Sequence, residues 1–205
     1  MGKTIEFIGY SGHSFVCIET SILLGFEING YYDIEEKSVN PYRLKYLGSE
    51  NEISNSDNSL FVAVGDNQLR QFICEKLILK NEFTTLKHPS AIISTTAIIS
   101  ENVLLSAGAI VNAQTKIGFG CIINTSAIIE HECQIDSFVH VAPGATLAGN
   151  VTVGKRSFIG ANATIKQGLT IGDDVIIGAG SVIIHDIPSN STVVGNPGKI
   201  IKTKI

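Results

Sequence analysis

From residue 91 to residue 183 the chain repeats every six residues, and that single property excludes most folds. Beginning at Ile93, each sixth residue through Ile99, Leu105, Val111 and Ile117 to Ile183 is Ile, Leu or Val, with no missed step. Two places before each lies a generally smaller residue, as at Ala91, Ala97, Ala109, Cys121, Ala127 and Cys133. An α-helix would space its apolar stripe at about 3.6 residues. Positions two apart face the same way on an extended strand. A unit of six with one such inward pair is a short strand plus a corner, and its repetition predicts a β-solenoid.

The run resembles the hexapeptide repeat of left-handed parallel β-helices, in which three units make a triangular coil of about 18 residues. Residues 18 apart then stack, so each outer face can be read as a column. One column is Leu104, Ile122, His140, Phe158, Ile176; the next is Ile92, Ile110, Ile128, Thr146, Thr164, Val182; the third is Ile98, Lys116, Gln134, Thr152, Thr170. Only the third is suited to water. Two apolar faces on a three-sided prism predict contact surfaces, and packing about a threefold axis makes a homotrimer the expected assembly, with the Leu104 column at its interface.

Charge is sparse along this run, which makes His131-Glu132 conspicuous. His131 follows the inward Ile129 by two residues and falls at a corner, with Ala113 one coil before it and Gly149 one coil after. A methyl group and a bare glycine leave room around the imidazole and a backbone N–H beside it, which suits a general base next to an oxyanion donor. A solvated corner histidine fits the column equally well. His140, half a coil away, points outward from an apolar face, where packing at an interface competes with function. His185 shares the corner column of His131 three coils on, as a surface residue. Cys121 and Cys133 occupy inward positions and are expected to be inert core residues.

With 17% charged residues, a net charge of −4 and pI near 5.7, the chain has no basic field to hold a nucleic-acid backbone. Cys17, Cys74, Cys121 and Cys133 show no CxxC spacing, and no stretch reads as a signal peptide or a membrane span. A reduced, soluble, cytoplasmic protein with neither nucleic-acid binding nor membrane insertion is expected.

The first 88 residues change character. Lys3–Ile8 reads as a buried strand, then GYSGHS, a helix from about Phe15 to Leu24, and a second strand ending near GYYD. A third strand, LFVAV, runs through Gly65-Asp66-Asn67 into an amphipathic helix marked by Leu69, Phe72, Ile73 and Leu77. This predicts a small α/β domain of Rossmann type over residues 1–88, the solenoid over 89–187 and a tail or cap over 188–205. Such sheets bind ligands at the carboxyl ends of their strands. GYSGHS is not GxGxxG, so a dinucleotide site is poorly supported. Gly9 and Gly12 nevertheless allow a phosphate to approach a helix N-terminus, His13 and Ser14 offer donors, and Asp33 is spaced like an acid that meets a ribose hydroxyl.

Taken together, NTSAIIEHEC, HVAPGATLAGNVTVG, FIGANATI and VVGNPGKI resemble the bacterial nucleotide-sugar acetyltransferases of the hexapeptide-repeat family. The closest resemblance is to the N-acetyltransferases acting on UDP-4-amino-4,6-dideoxy sugars in bacillosamine-type pathways. It implies His131 as base, Glu132 as its assistant at the acceptor, and Gly149 N–H as oxyanion donor. It implies acetyl-CoA contacts at Asn124, His140, Gly149 and Ala161, no metal, and a UDP-sugar held by the N-terminal domain through Gly9, Gly12, His13, Ser14, Asp33, Asp66 and Asn67. Two positions depart from the family: Asp66 stands where its GNN loop has Asn, and Gly198 where its tail has Ala.

The expected activity is therefore acetyl-CoA-dependent N-acetylation of a UDP-linked 4-amino sugar by direct attack. A sugar O-acetyltransferase of the sialic acid type and a GDP-amino-sugar N-acetyltransferase are the near alternatives. A zinc carbonic anhydrase on the same solenoid needs three convergent histidines, and a non-catalytic scaffold leaves the N-terminal domain unexplained. Stereochemistry and the C2 substituent of the sugar are not encoded in any of these motifs.

Overall fold

The computed structural model describes residues 3–53 and 55–203. The N-terminal part is a four-stranded parallel sheet of β1 (Thr4–Ile8), β2 (Glu27–Tyr32), β3 (Tyr46–Gly48) and β4 (Ser59–Val62), in the order β3-β2-β1-β4. Helix α1 (Gly12–Leu23) joins β1 to β2, and α2 (Asn67–Leu77) follows β4. The strand order reverses direction between β1 and β4, so the crevice at their carboxyl ends is the binding position such a sheet offers.

Helix α1 begins three residues before the predicted start. The Ser14 hydroxyl donates to the Ser11 carbonyl at 2.6 Å and accepts from its N–H at 2.8 Å, which secures the first turn. Ser14 is buried in this role, so the open donor expected there is absent.

The predicted buried face of α2 also needs correction. Leu69 and Phe72 are 43% and 64% exposed, while Asn67, Arg70, Ile73, Cys74 and Leu77 face inward. Positions 70, 73, 74 and 77 are one helical stripe, and it carries a guanidinium.

The solenoid is built of two-residue strands in three parallel ladders. The first face holds Leu104, Ile122, His140, Phe158 and Ile176 in register; the second runs from Ile92 through Ile128 to Val182; the third runs from Ile98 through Gln134 to Thr170. Both inward positions of each unit are buried along most of the prism, as at Ala127 and Ile129 or Cys133 and Ile135. The ladder starts earlier than residue 89, since Leu86–Lys87 already pairs with Leu104–Leu105. Past residue 187, Ser191–Val194 extends the first face by one parallel rung, and the chain then turns back as an antiparallel strand, Lys199–Thr203.

Each corner turns on one residue with left-handed φ, recurring every six residues as at Gly120, Ser126, Glu132, Phe138, Gly144 and Asn150. Glycine and asparagine tolerate this conformation; for other residues it costs of order 1 kcal/mol.

The Leu104 column is covered from within the chain, which corrects its expected place at a subunit interface. Leu104 and Ile122 are buried in one cluster with Ile5, Phe7, Cys17 and Phe61 of the N-terminal domain, and Phe138 is buried with Ile8, Leu60 and Ile73. Only Ile176, at the far end of the column, stays 44% exposed. Of the two apolar faces, the second is the one left uncovered, with Ile92 64% exposed and Ile110 and Ile128 half-buried.

Candidate active site

His131 stands at the corner between the second and third faces, after the rung Ile128–Ile129. Its Nδ1 lies 3.0 Å from Glu132 Oε2. A carboxylate only accepts, so this contact places the proton on Nδ1 and the lone pair on Nε2. Glu132 takes the left-handed corner position with φ +62°, a place where glycine or asparagine would be less strained, and its N–H is tied to the Ala113 carbonyl at 2.8 Å. The pair is 58% and 60% exposed, too open for the contact to stabilise the fold appreciably.

The imidazole lies over Gly149, one coil on. A Cβ on Gly149 would stand 2.6 Å from His131 Cε1 and 2.7 Å from Nε2, so the ring can occupy this position only over a residue without a side chain. Among the described residues the Gly149 N–H has no hydrogen-bond acceptor. His131, Gly149, Asn150, Gln167 and Gly168 line an open hollow of about 340 Å³. A lone-pair nitrogen and a free N–H thus border one space at the protein surface.

A second polar group forms where the N-terminal domain meets the first face. His140 Nε2 lies 3.1 Å from Asn124 Nδ2, and the His140 ring is 6.2 Å from that of His13 and edge-on to Phe158. His140 Nδ1 is buried without a hydrogen bond; the Gly65 backbone is near enough to favour the charged ring weakly but is not in bonding geometry. Burial first, then the Arg70 charge and His13, push His140 down to about 3. Burial and then Arg70 push His13 down to about 4. Both rings are neutral at physiological pH. His140 therefore sits in the seam between domains, not on the open interface face expected of it.

Both imidazoles titrate below the ordinary value of 6.5. Below that pH the unfolded chain binds protons that the folded chain refuses. Their contribution to stability is fully present above pH 6.5 and declines as pH falls toward 4, by about 1.4 kcal/mol per pH unit for each ring. Urea midpoints measured at pH 7 and pH 5 are expected to show this drop, and to show much less of it in a His13→Gln, His140→Gln variant.

Around the sheet crevice, Gly9 has φ +90°, which glycine favours, and a Cβ on it would stand 3.0 Å from a Val64 methyl group. Gly12 opens α1 with free space around it. Asp33 accepts from Tyr10 N–H at 2.9 Å through Oδ2, and through Oδ1 from Ile34 N–H while pairing with Lys37 at 3.0 Å. It binds the loops after β1 and β2 together beside a hollow of about 310 Å³ lined by Tyr10, Ser11, Gly12, Phe15, Lys37, Ser38 and Val39. Lys37 and the aromatic wall of Tyr10 and Phe15 escaped the sequence reading, which had no turn motif to place that loop.

Asp66 caps α2 by accepting from Leu69 N–H at 2.8 Å. Asn67 is buried, donating to the Arg156 and Ser157 carbonyls and accepting from Arg70. Its side chain joins the domains, and the residue also lines a hollow with Gly65, Asp66, Gln68 and Phe158. Ala161 and Asn124 lie at the corner between the first and second faces, after the rungs Phe158–Ile159 and Ile122–Ile123. Within one chain, then, the His131–Gly149 corner and the group of Asn124, Ala161, His13 and His140 occupy different corners and faces of the prism.

The thiols are buried, and burial pushes Cys74 and Cys121 up to about 12 and raises Cys17 and Cys133. Among the described residues no three of His, Cys, Asp or Glu are placed to hold a metal, and no helix is long and apolar enough to cross a membrane.

Two family models match: the PglD N-terminal domain over residues 4–77 and the bacterial transferase hexapeptide, six repeats, over 150–185. GDP-perosamine N-acetyltransferase of Escherichia coli is 31% identical over 192 residues, covering 88% of this chain and 80% of that protein. UDP-N-acetylbacillosamine N-acetyltransferase of Bacillus subtilis is 44% identical over 50 residues, 24% of this chain and 23% of that one. Among solved structures, the acetyltransferase domain of PglB from Neisseria gonorrhoeae in complex with acetyl coenzyme A is 36% identical with a TM-score of 0.91, covering 98% of this chain and all of that one. A histidine variant of perosamine N-acetyltransferase from Caulobacter crescentus, in complex with CoA and GDP-perosamine, is 34% identical with a TM-score of 0.89 and covers 98% of both chains.

Proposed function

This chain belongs to the nucleotide-sugar N-acetyltransferases that join a PglD-type N-terminal domain to a hexapeptide solenoid, and from that premise we propose that it acetylates the 4-amino group of a UDP-linked 4-amino-4,6-dideoxy sugar with acetyl-CoA. The observation that carries the mechanism is the His131–Glu132 pair lying over Gly149.

The sugar amine attacks the thioester carbonyl, and His131 Nε2 takes the proton the nitrogen must lose. Glu132 holds the imidazole in the tautomer that leaves Nε2 basic. The Gly149 N–H stabilises the oxyanion of the tetrahedral intermediate. Collapse of that intermediate breaks the C–S bond, and the thiolate leaves with a proton returned by the imidazolium. No metal takes part.

The nucleotide is held at the carboxyl ends of β1 and β2, with its phosphates at Gly9, Gly12 and the start of α1, and with Lys37 and Asp33 beside it. His13 and, in place of the acetyl-CoA contact the resemblance implied for it, His140 present the sugar as neutral rings. Since those groups and His131 are on different faces of one prism, the protein works as a homotrimer in which the uncovered second face packs on a neighbour. The acetyl-CoA arm runs between the Gly149 corner of one subunit and the Asn124–Ala161 corner of the next. Both substrates are soluble nucleotides, which suits a cytoplasmic enzyme.

A GDP-linked amino sugar is the second reading, favoured by the GDP-perosamine relatives that match along nearly the whole chain. Acetyl-CoA is to be supplied with UDP- and GDP-linked 4-amino sugars and with sialic acid, and free CoA thiol counted. Release with a UDP-amino sugar supports the first reading and release with GDP-perosamine alone supports the second. Release with sialic acid alone would mean a hydroxyl acceptor, and no release with any of them would remove the transferase assignment.

A further inference from the structure

Arg70 is fully buried, yet it forms no ion pair with any carboxylate among the described residues. Its five N–H donors meet five neutral acceptors. Nε donates to the Gly120 carbonyl at 2.7 Å; Nη1 donates to Val64 at 2.9 Å and Gly65 at 3.1 Å; Nη2 donates to Asn67 Oδ1 at 2.7 Å and to the Phe138 carbonyl at 2.9 Å. Gly120 and Phe138 are left-handed corner residues one coil apart, while Val64 and Gly65 form the loop leaving β4. A single planar fork thus spans two solenoid coils and the edge of the sheet crevice. No other side chain has enough donors for this, and lysine could satisfy at most three of the five.

What the fork holds is next to the proposed acceptor position. A Cβ on Gly65 would lie 3.9 Å from the His13 Cβ, and His13 faces His140 across the domain seam at 6.2 Å. We propose that Arg70 is a positioning residue for the acceptor sugar: its guanidinium fixes the Val64–Gly65 loop, and with it the His13–His140 pair, against the solenoid. The proposal rests on the reading that the N-terminal domain binds the nucleotide sugar.

Burial lowers Arg70 to about 10, so the charge persists at neutrality. Arg70 and Cys17 face His13, Arg70 and His13 face His140, and Cys121, Cys74, Asp66 and Cys17 surround Arg70 itself. The nearest cation to both rings is therefore the one that holds the loop.

Two full-length variants separate fork from charge: Arg70→Lys keeps the charge and loses the fork, and Arg70→Met loses both. The probes are UDP-4-amino-4,6-dideoxy-N-acetylglucosamine and GDP-perosamine, titrated calorimetrically beside acetyl-CoA, with histidine ring signals followed by NMR against pH. Arg70→Lys is expected to weaken binding of the accepted nucleotide sugar by about tenfold or more while acetyl-CoA affinity stays within about twofold. Arg70→Met should show the same selective loss, and its His13 and His140 rings should also titrate at higher pH than in the wild type. Equal nucleotide-sugar affinity in Arg70→Lys and wild type would overturn the proposal. So would parallel loss of both substrates, or failure of both variants to fold, since each marks a general structural role. If the wild type binds neither probe, the functional reading falls first and takes this proposal with it.

Discussion

His131→Ala is expected to lower kcat by about 10²–10⁴ while leaving the fold and acetyl-CoA affinity nearly unchanged. The side chain is 58% exposed, so its loss opens no core cavity, and neighbouring rungs keep their inward pairs. Steady-state kinetics with a chromogenic thiol assay and a thermal melt of the same sample test both halves together. A variant that retains most of its turnover would reduce His131 to a solvated corner residue. Glu132→Gln should cost less, because an amide can still accept from Nδ1–H but stabilises the imidazolium poorly.

An equally large loss is expected from a charge placed on the uncovered face. Ile110→Asp together with Ile128→Asp would bury unpaired carboxylates in the proposed trimer, at about 3–5 kcal/mol each if the contact is dry. In the isolated chain these positions are only half-buried, so the monomer should still fold. Light scattering should then report one chain mass instead of three, with activity falling by about 10² or more, because the base and the acceptor groups would come from different subunits. A fully active monomer would defeat both the trimer and the shared site. Phe158 is the poorer place for this test, since it packs against His140 in the domain seam.

The solenoid was legible because its rule is local. An inward pair every six residues fixes each side chain's face without reference to anything distant, and the His131–Gly149 stacking follows from the 18-residue step. The identity of what covers an outer face has no such rule. Leu104 and Ile122 read correctly as buried, but an apolar column looks the same beneath a neighbouring subunit and beneath the chain's own N-terminal domain. Arg70 was missed for a related reason. Its two acceptors on the solenoid are main-chain carbonyls 50 and 68 residues away, and carbonyls carry no sequence signature. A signal did exist: Arg70 lies on the same helical stripe as Ile73, Cys74 and Leu77, where a charge demands an explanation. Ser14 shows the opposite error, since a polar side chain beside a glycine turn suggests a ligand contact when it is closing a helix cap.

The reversed final strand has a consequence for the length of the object itself. A parallel solenoid that simply stops leaves a row of unpaired N–H and C=O groups that another solenoid could extend without limit. Here Lys199–Thr203 lies antiparallel on the last rung, so an incoming parallel strand would find its bonding pattern out of phase. Lys199 and Lys202 add like charges at that edge. The hairpin thus closes the first face of the prism to a further parallel rung.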